Sequence, residues 1–209
     1  MMRINFVAAQ PDRVGRYIVR FEDGSVMRLY RQTLEDYGIY AGTELSETQC
    51  KKLREAAGTM SAKMRAVRIV AASNVSKRDL EKRLIHKGET PKDAQRAVRW
   101  MEDLNLLDDY ETARQVVASC IRKGYGVSRA KQALYEKRIP QEYWEQVLKD
   151  YPDQQEAIIA YLQAHLPGRW EQKDLRRVTD ALIRRGHSFQ QIRKGLDALS
   201  FNTDDFLED

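Results

Sequence analysis

The chain has 209 residues, of which 42% are hydrophobic and 32% are charged, and its formal net charge is +5. This composition is typical of a helix-rich protein with enough chain to bury a core. No apolar run approaches the roughly 20 residues that cross a bilayer, and the N-terminal sequence MMRINFVAAQPDR lacks the apolar core of a signal peptide, so we expect a cytoplasmic protein with no membrane contact.

The first 45 residues predict a small β-rich appendage. Runs of β-branched and aromatic residues at 16–21 and 26–30 flank an Asp-Gly pair, which is the pattern of a β-hairpin. Two strands alone are only marginally stable, so we expect residues 4–7 to supply a third strand or the helices to cover the hairpin.

A short connecting helix is predicted next, at residues 46–58. Ser46 and Gln49 have the spacing of a capping box, and Gly58 is expected to end the helix. A separate helix at 60–73 then opens a series of helical repeats.

One helix-end pattern returns at intervals of about 50 residues. The sequence LIHKG at 84–88 is followed by LYEKR at 134–138 and by LIRRG at 182–186, and a new helix start comes after each. A period of this length is typical of stacked helical units. The predicted fold is therefore mainly α, with three tandem three-helix repeats and a small N-terminal β-hairpin appendage. The predicted repeats cover 59–107, 108–152 and 153–200, and an acidic tail follows at 201–209.

Capping residues mark the helix starts of the central stretch. Thr90 precedes a proline, which is favoured at the first helical position. Asp108 and Asp109 lie where acidic side chains stabilise a helix N-terminus, so we interpret them as a cap and not as a metal site. Ser76 and Ser128 are the other predicted helix starts.

The sequence carries no recognisable motif for catalysis, a metal or a cofactor. It has no P-loop, no GxGxxG and no HExxH, and its three histidines are scattered at helix ends. Cys50 and Cys120 lie far apart in predicted helices and are expected to be free thiols. We therefore expect a binding protein with no catalytic residue, no metal and no cofactor.

Positive charge is concentrated in the middle of the chain. Residues 63–138 hold 18 Lys and Arg against 10 Asp and Glu, whereas the chain from residue 150 onward holds 8 against 11. A basic block suits nucleic acid or an acidic protein surface, although a solvated helix face is the alternative for each single residue. One predicted group of binding residues comes from two successive helices: Lys63, Arg65, Arg68, Lys77, Arg78, Lys82 and Arg83. The other surrounds the turn at 124–126: Arg122, Lys123, Tyr125, Arg129 and Lys131.

Two interpretations stay open for the aromatic residue of that turn. Tyr125 can stack on an unpaired base beside its basic neighbours, or it can fill the gap between two repeats. The three tryptophans recur at helical spacing beside apolar residues, which favours the core over a binding platform. They are Trp100, Trp144 and Trp170.

Three segments, in this order and spacing, carry a family resemblance. They are SKRDLEKRL, LLDDYETAR and RKGYGVSRAKQALYEKRI, and together they resemble the RecX family of bacterial regulators of the recombinase RecA over about residues 60–200. The resemblance implies an elongated, curved array of three-helix repeats that binds RecA nucleoprotein filaments. It further implies a non-enzymatic regulator that mostly inhibits recombinase activity, ATP hydrolysis and strand exchange in DNA repair and the SOS response.

The family resemblance and the charge pattern also imply further partners. We expect the basic faces to contact single- or double-stranded DNA, and we expect a monomer because no dimerisation segment is evident. The alternative function is a helix-turn-helix-like transcription regulator, since short helices with glycine turns can imitate that motif.

The chain departs from the family at two places. Arg138 stands where the family usually has glycine, so that turn must avoid the left-handed conformation or accept strain. The β-rich N-terminal portion lies outside the repeats, and we treat it as an accessory and a candidate second contact site.

Overall fold

A computed structural model describes residues 1–166 and 170–199. The chain divides into two compact units, 1–107 and 108–209. The predicted acidic tail at 201–209 lies outside the described residues. None of the described helices is long and apolar enough to cross a membrane.

The N-terminal portion forms a four-stranded antiparallel sheet with strand order β3-β2-β1-β4. The predicted hairpin and third strand are confirmed, and Gly24 takes a φ of 81° in the Asp-Gly turn. The fourth strand was not predicted, because two residues are too few to show an alternating pattern. The strands are β1 (Met2–Val7), β2 (Arg16–Phe21), β3 (Val26–Tyr30) and β4 (Glu44–Leu45), and a short helix, α1 (Arg31–Asp36), follows β3.

Nine further α-helices follow in the described residues, three for each predicted repeat. This arrangement confirms a mainly α fold of tandem three-helix repeats that follow a small N-terminal sheet in the chain. The exact limits of the repeats stay a prediction. The first three helices are α2 (Glu47–Ala72), α3 (Lys77–His86) and α4 (Pro91–Asp103). The next are α5 (Asp109–Arg122), α6 (Val127–Glu136) and α7 (Trp144–Leu148), with a 3-10 turn at Gln141–Tyr143 before α7. The last are α8 (Gln155–His165), α9 (Gln172–Arg184) and α10 (Phe189–Ala198).

The predicted helix end at Gly58 is wrong, because α2 runs without interruption through that residue. The capping box of Ser46 and Gln49 at its start is confirmed. Gly58 serves close packing instead of termination: a Cβ there would lie 2.9 Å from Oδ2 of Asp93, at the start of α4. One helix therefore joins the core under the sheet to the core of the first repeat.

Each group of three helices buries its own apolar cluster, and a further cluster lies under the sheet. The recurring leucine of each helix-end pattern is fully buried, namely Leu84, Leu134 and Leu182. Burial of a leucine contributes about 1.5–3 kcal/mol, so these positions hold each repeat together. The three tryptophans pack against their own clusters, which confirms the prediction that they belong to the cores: Trp100, Trp144 and Trp170.

Most predicted helix starts are confirmed. The side chains of Ser76 and Thr90 accept hydrogen bonds from backbone N–H groups three residues on. Asp108 accepts from two N–H groups of α5, at 2.8 and 3.0 Å, so the acidic pair includes a cap. The predicted start at Ser128 is wrong, because α6 is capped by Gly126.

The three recurring helix ends adopt the same left-handed turn. The φ angles are 92° at Gly88, 55° at Arg138 and 89° at Gly186. In each turn the next N–H reaches back to the buried leucine's carbonyl, at 3.1–3.2 Å. The turn at Arg138 therefore keeps the repeat's geometry and accepts the strain of a side chain in that conformation.

Candidate functional site

The outer face of α3 carries free positive charge. Arg78 and Lys82 are exposed and lie one helical turn apart. Neither makes an ion pair with a described residue. Two unpaired cations at this spacing can contact adjacent phosphates or carboxylates.

The other predicted cations of α3 are engaged within the first unit. Lys77 pairs with Glu102 of α4. Arg83 lies 2.9 Å from Oδ2 of Asp79, whose side chain is almost fully buried, and also donates to Ser73 at 3.3 Å. These two side chains hold α3 in place, so replacing them would disturb packing as well as charge.

The three predicted cations of α2 contact three different elements. Lys63 Nζ lies 4.9 Å from the centre of the Trp100 ring on α4. Arg65 donates to the Lys87 carbonyl in the turn after α3, at 3.0 Å. Arg68 donates to a tyrosine hydroxyl on β3, at 3.4 Å. Each of the three is therefore held by a different contact, and their role in binding stays a prediction.

The second predicted group lies around the α5–α6 turn, which packs directly on the α9–α10 turn. The N–H of Gly126 donates to the Arg185 carbonyl at 2.9 Å. The buried His187 donates from Nε2 to the Gly124 carbonyl at 3.0 Å, and burial lowers the pKa of its imidazole. A Cβ on Gly126 would lie 2.0 Å from the carbonyl oxygen of Gly186, which explains why glycine caps α6.

Tyr125 packs within this junction of the second and third repeats. The Arg185 guanidinium lies 5.1 Å from the centre of its ring and 4.8 Å from that of Tyr161. The hydroxyl of Tyr151 donates to the Tyr125 carbonyl at 2.6 Å, and burial raises the pKa of Tyr151 to about 12. These contacts favour the packing role of Tyr125 over base stacking.

The remaining residues of the second group divide into paired and free cations. Arg129 donates to Glu136 on its own helix at 3.0 Å. Arg122, Lys123 and Lys131 are exposed and make no ion pair with a described residue. The free charge near this turn therefore lies at the end of α5 and on the outer face of α6.

Sequence reasoning missed a similar feature in the third repeat. Arg176 and Arg184 of α9 are exposed and form no ion pair among the described residues. The regional charge count hid them, because four of the eleven acidic residues after residue 150 belong to the tail at 201–209. Without the tail the charge count becomes 8 Lys and Arg against 7 Asp and Glu, a nearly neutral balance that still does not single out these two residues.

The middle helices of the repeats, α3, α6 and α9, also share an exposed apolar side chain. It follows the buried leucine directly in each repeat. The exposed fractions are 41% for Ile85, 68% for Tyr135 and 48% for Ile183. Exposed apolar residues beside free cations are typical of an interaction surface. The repeated motif was the signal from which this position could have been found.

The described residues offer no group of three or more His, Cys, Asp and Glu that could hold a metal ion. Cys50 and Cys120 are buried free thiols, as predicted. Burial raises the pKa of the Cys120 thiol, which keeps it in its unreactive protonated form at neutral pH.

Known proteins resemble this chain in sequence. Residues 108–148 match the family model described as RecX, second three-helix domain. A regulatory protein RecX from Vibrio parahaemolyticus is 30% identical over 153 residues, covering 71% of this chain and 96% of the relative. One from Prosthecochloris aestuarii is 27% identical over 147 residues, covering 69% and 97%.

Two solved structures share the fold. The match to a crystal structure of regulatory protein RecX covers 94% of this chain and 100% of the RecX chain, with a TM-score of 0.63 and 20% identity. That of RecX from Lactobacillus salivarius covers 69% of this chain and 98% of its own, with a TM-score of 0.58 and 17% identity. Taken with the sequence match along nearly the whole Vibrio relative, these findings show that the chain belongs to the RecX family of regulatory proteins.

Proposed function

We propose that this protein binds RecA nucleoprotein filaments in the bacterial cytoplasm and restrains their activity. The observation that carries the proposal is 30% identity across 96% of a RecX regulatory protein. The restrained activities are ATP hydrolysis and strand exchange in DNA repair and the SOS response. The protein acts as a monomer and without chemistry of its own.

The surface features support action by occupancy. Each middle helix carries an exposed apolar residue and at least one free cation, which suits a partner that combines protein and DNA. A partner built from identical subunits can offer the same contact several times, so weak contacts add through effective concentration. A bound array would block subunit addition or strand access.

The outer face of α3 provides a direct test of this proposal. We expect the double variant Arg78→Glu, Lys82→Glu to lose affinity for RecA filaments, because it reverses two free charges without removing a described contact. The control variant Lys92→Glu, Arg99→Glu makes the same charge change at exposed positions of α4 in the same unit. Co-sedimentation with filaments at fixed salt gives the affinities.

The two variants separate a specific face from bulk charge. A loss of about tenfold or more for the α3 variant, with a smaller loss for the α4 variant, supports contact through the middle helices. Equal losses of affinity would mean that the effect of the α3 variant comes from net charge alone. Unchanged affinity in a folded α3 variant would remove this face from the proposal. Sequence-selective duplex binding without filament binding would favour a transcription regulator instead.

A further inference from the structure

The outer face of the N-terminal sheet displays an aromatic side chain that strand alternation alone would bury. Ile4 pairs with Phe21 and Phe6 pairs with Arg20, so the register between β1 and β2 shifts between Ile4 and Phe6. Without that bulge Phe6 would share the core face with Ile4. With it, Phe6 is 46% exposed, while Ile4 is fully buried.

Phe6 lies in a row with exposed residues of β2 and β3. It pairs with Arg20 on β2, and Arg20 pairs with Val26 on β3, which is 49% exposed. The Arg20 guanidinium lies 5.4 Å from the centre of the Phe6 ring. The next row pairs Ile18 with the exposed Arg28.

The charge of these two rows is positive. Arg20 and Arg28 make no ion pair with a described residue. Two exposed carboxylates lie at the edge of this region, Glu22 just after β2 and Glu44 of β4, and neither forms an ion pair with Arg20 or Arg28. The apolar cluster under the sheet and α2 occupies the other face, so the outer face is uncovered within the first unit.

We propose that this face binds a single-stranded nucleic acid, with a base stacking on Phe6 and Arg20 and with phosphates held by Arg20 and Arg28. A four-stranded antiparallel sheet with a central exposed aromatic and unpaired arginines has the chemistry of single-strand recognition, because every base offers a π-face and every phosphate a negative charge. Three strands span about 10 Å, enough for two or three stacked bases. The site is separate from the helical repeats to which filament binding is assigned.

The test compares two double variants of the full chain. Phe6→Ala with Arg20→Ala removes the stack. Tyr40→Ala with Arg13→Ala is the control, since it removes one exposed aromatic and one exposed arginine of the same unit that lie outside the strands. Fluorescence anisotropy with a labelled oligothymidine at fixed low salt measures affinity. We expect about a tenfold or greater loss for the first variant and less than about twofold for the control.

Two further measurements distinguish binding at this sheet from binding at the basic helices. Arg20→Ala alone should reduce the slope of log affinity against log salt by about 0.7, the value for one phosphate contact on a single strand. Photo-crosslinking of a bromodeoxyuridine oligonucleotide should label the peptide that contains Phe6. An oligouridine of the same length shows whether the site distinguishes DNA from RNA.

Three outcomes would overturn the proposal. One is unchanged oligonucleotide affinity in the folded Phe6 and Arg20 variant, and another is crosslinking confined to peptides of the helical repeats. The third is a variant that keeps oligonucleotide affinity but loses RecA filament binding, which would make the face a protein interface. Filament binding that persists while oligonucleotide affinity falls separates this site from the proposed function.

Discussion

Replacement of Arg138 by glycine should give a more stable second unit than its replacement by alanine. Arg138 holds a φ of 55°, where a side chain costs about 1–2 kcal/mol and glycine costs little. Glycine also loses about 0.5–1 kcal/mol through its freer unfolded chain. The free energy of unfolding of the glycine variant should therefore exceed that of the alanine variant by about 1 kcal/mol. Arg138→Ala is the correct reference because it removes the side-chain contacts of Arg138 while keeping the strain.

Urea denaturation followed by tryptophan fluorescence measures this difference. A Trp100→Phe background leaves fluorescence only from the second unit, through Trp144 and Trp170. With a slope of about 2 kcal/mol per molar urea, the glycine variant should unfold at about 0.5 M higher urea than the alanine variant.

The equivalent turn of the first repeat supplies the mirror experiment. Gly88 has a φ of 92°, and a Cβ there meets nothing within 4 Å, so Gly88→Ala tests strain without a clash. We expect a loss of about 1 kcal/mol in the first unit. Equal midpoints for Arg138→Gly and Arg138→Ala, or a neutral Gly88→Ala, would refute the argument that the left-handed turn costs free energy.

Two other predictions concern the junction of the second and third repeats. Gly126→Ala should destabilise the second unit by at least about 1–3 kcal/mol, because its Cβ meets the Gly186 carbonyl oxygen at 2.0 Å; a midpoint within about 0.2 M urea of the parent protein would contradict this packing. The lowered pKa of His187 means that the unfolded chain takes up a proton more readily, so stability should fall as pH drops below about 6.5, by no more than about 1.4 kcal/mol per pH unit. His187→Gln should lose this component of the pH dependence and the exposed His86→Gln should retain it, as thermal unfolding at several pH values will show; an unchanged profile for His187→Gln would contradict the assignment.

Local signals in the sequence were enough to predict most helix starts and the three repeats. Ser76, Thr90 and Asp108 cap helices because a short polar side chain can satisfy a free N–H whatever the tertiary context. The helix-end motif predicted equivalent turns because it combines a buried leucine with a left-handed residue four positions later. Both signals depend only on neighbours in the chain.

The errors arose where glycine serves tertiary packing. The sequence predicts a helix end at Gly58 and a turn at Gly126 before a helix that starts at Ser128, yet Gly58 lies inside α2 and Gly126 caps α6. Each admits a close approach from a segment 35 or more residues away, Asp93 in one case and Gly186 in the other. No local pattern distinguishes that use of glycine from a helix end.

The candidate site was predictable in composition and not in arrangement. No sequence pattern separates the free Arg78 from the engaged Arg83, because the difference depends on the buried Asp79, which pairs with Arg83. The packing of Tyr125 against Arg185 depends on two residues 60 positions apart. The bulge that exposes Phe6 is likewise a property of strand pairing.

The most direct test of the proposed function is DNA-dependent ATP hydrolysis by a bacterial RecA at fixed salt, with this protein added at amounts too low to coat the DNA. We predict a fall in the hydrolysis rate under these substoichiometric conditions, with a smaller fall for the Arg78→Glu, Lys82→Glu variant. An unchanged rate at protein concentrations that bind the filament would contradict the account, because a regulator that acts by occupancy must alter filament activity when it is bound.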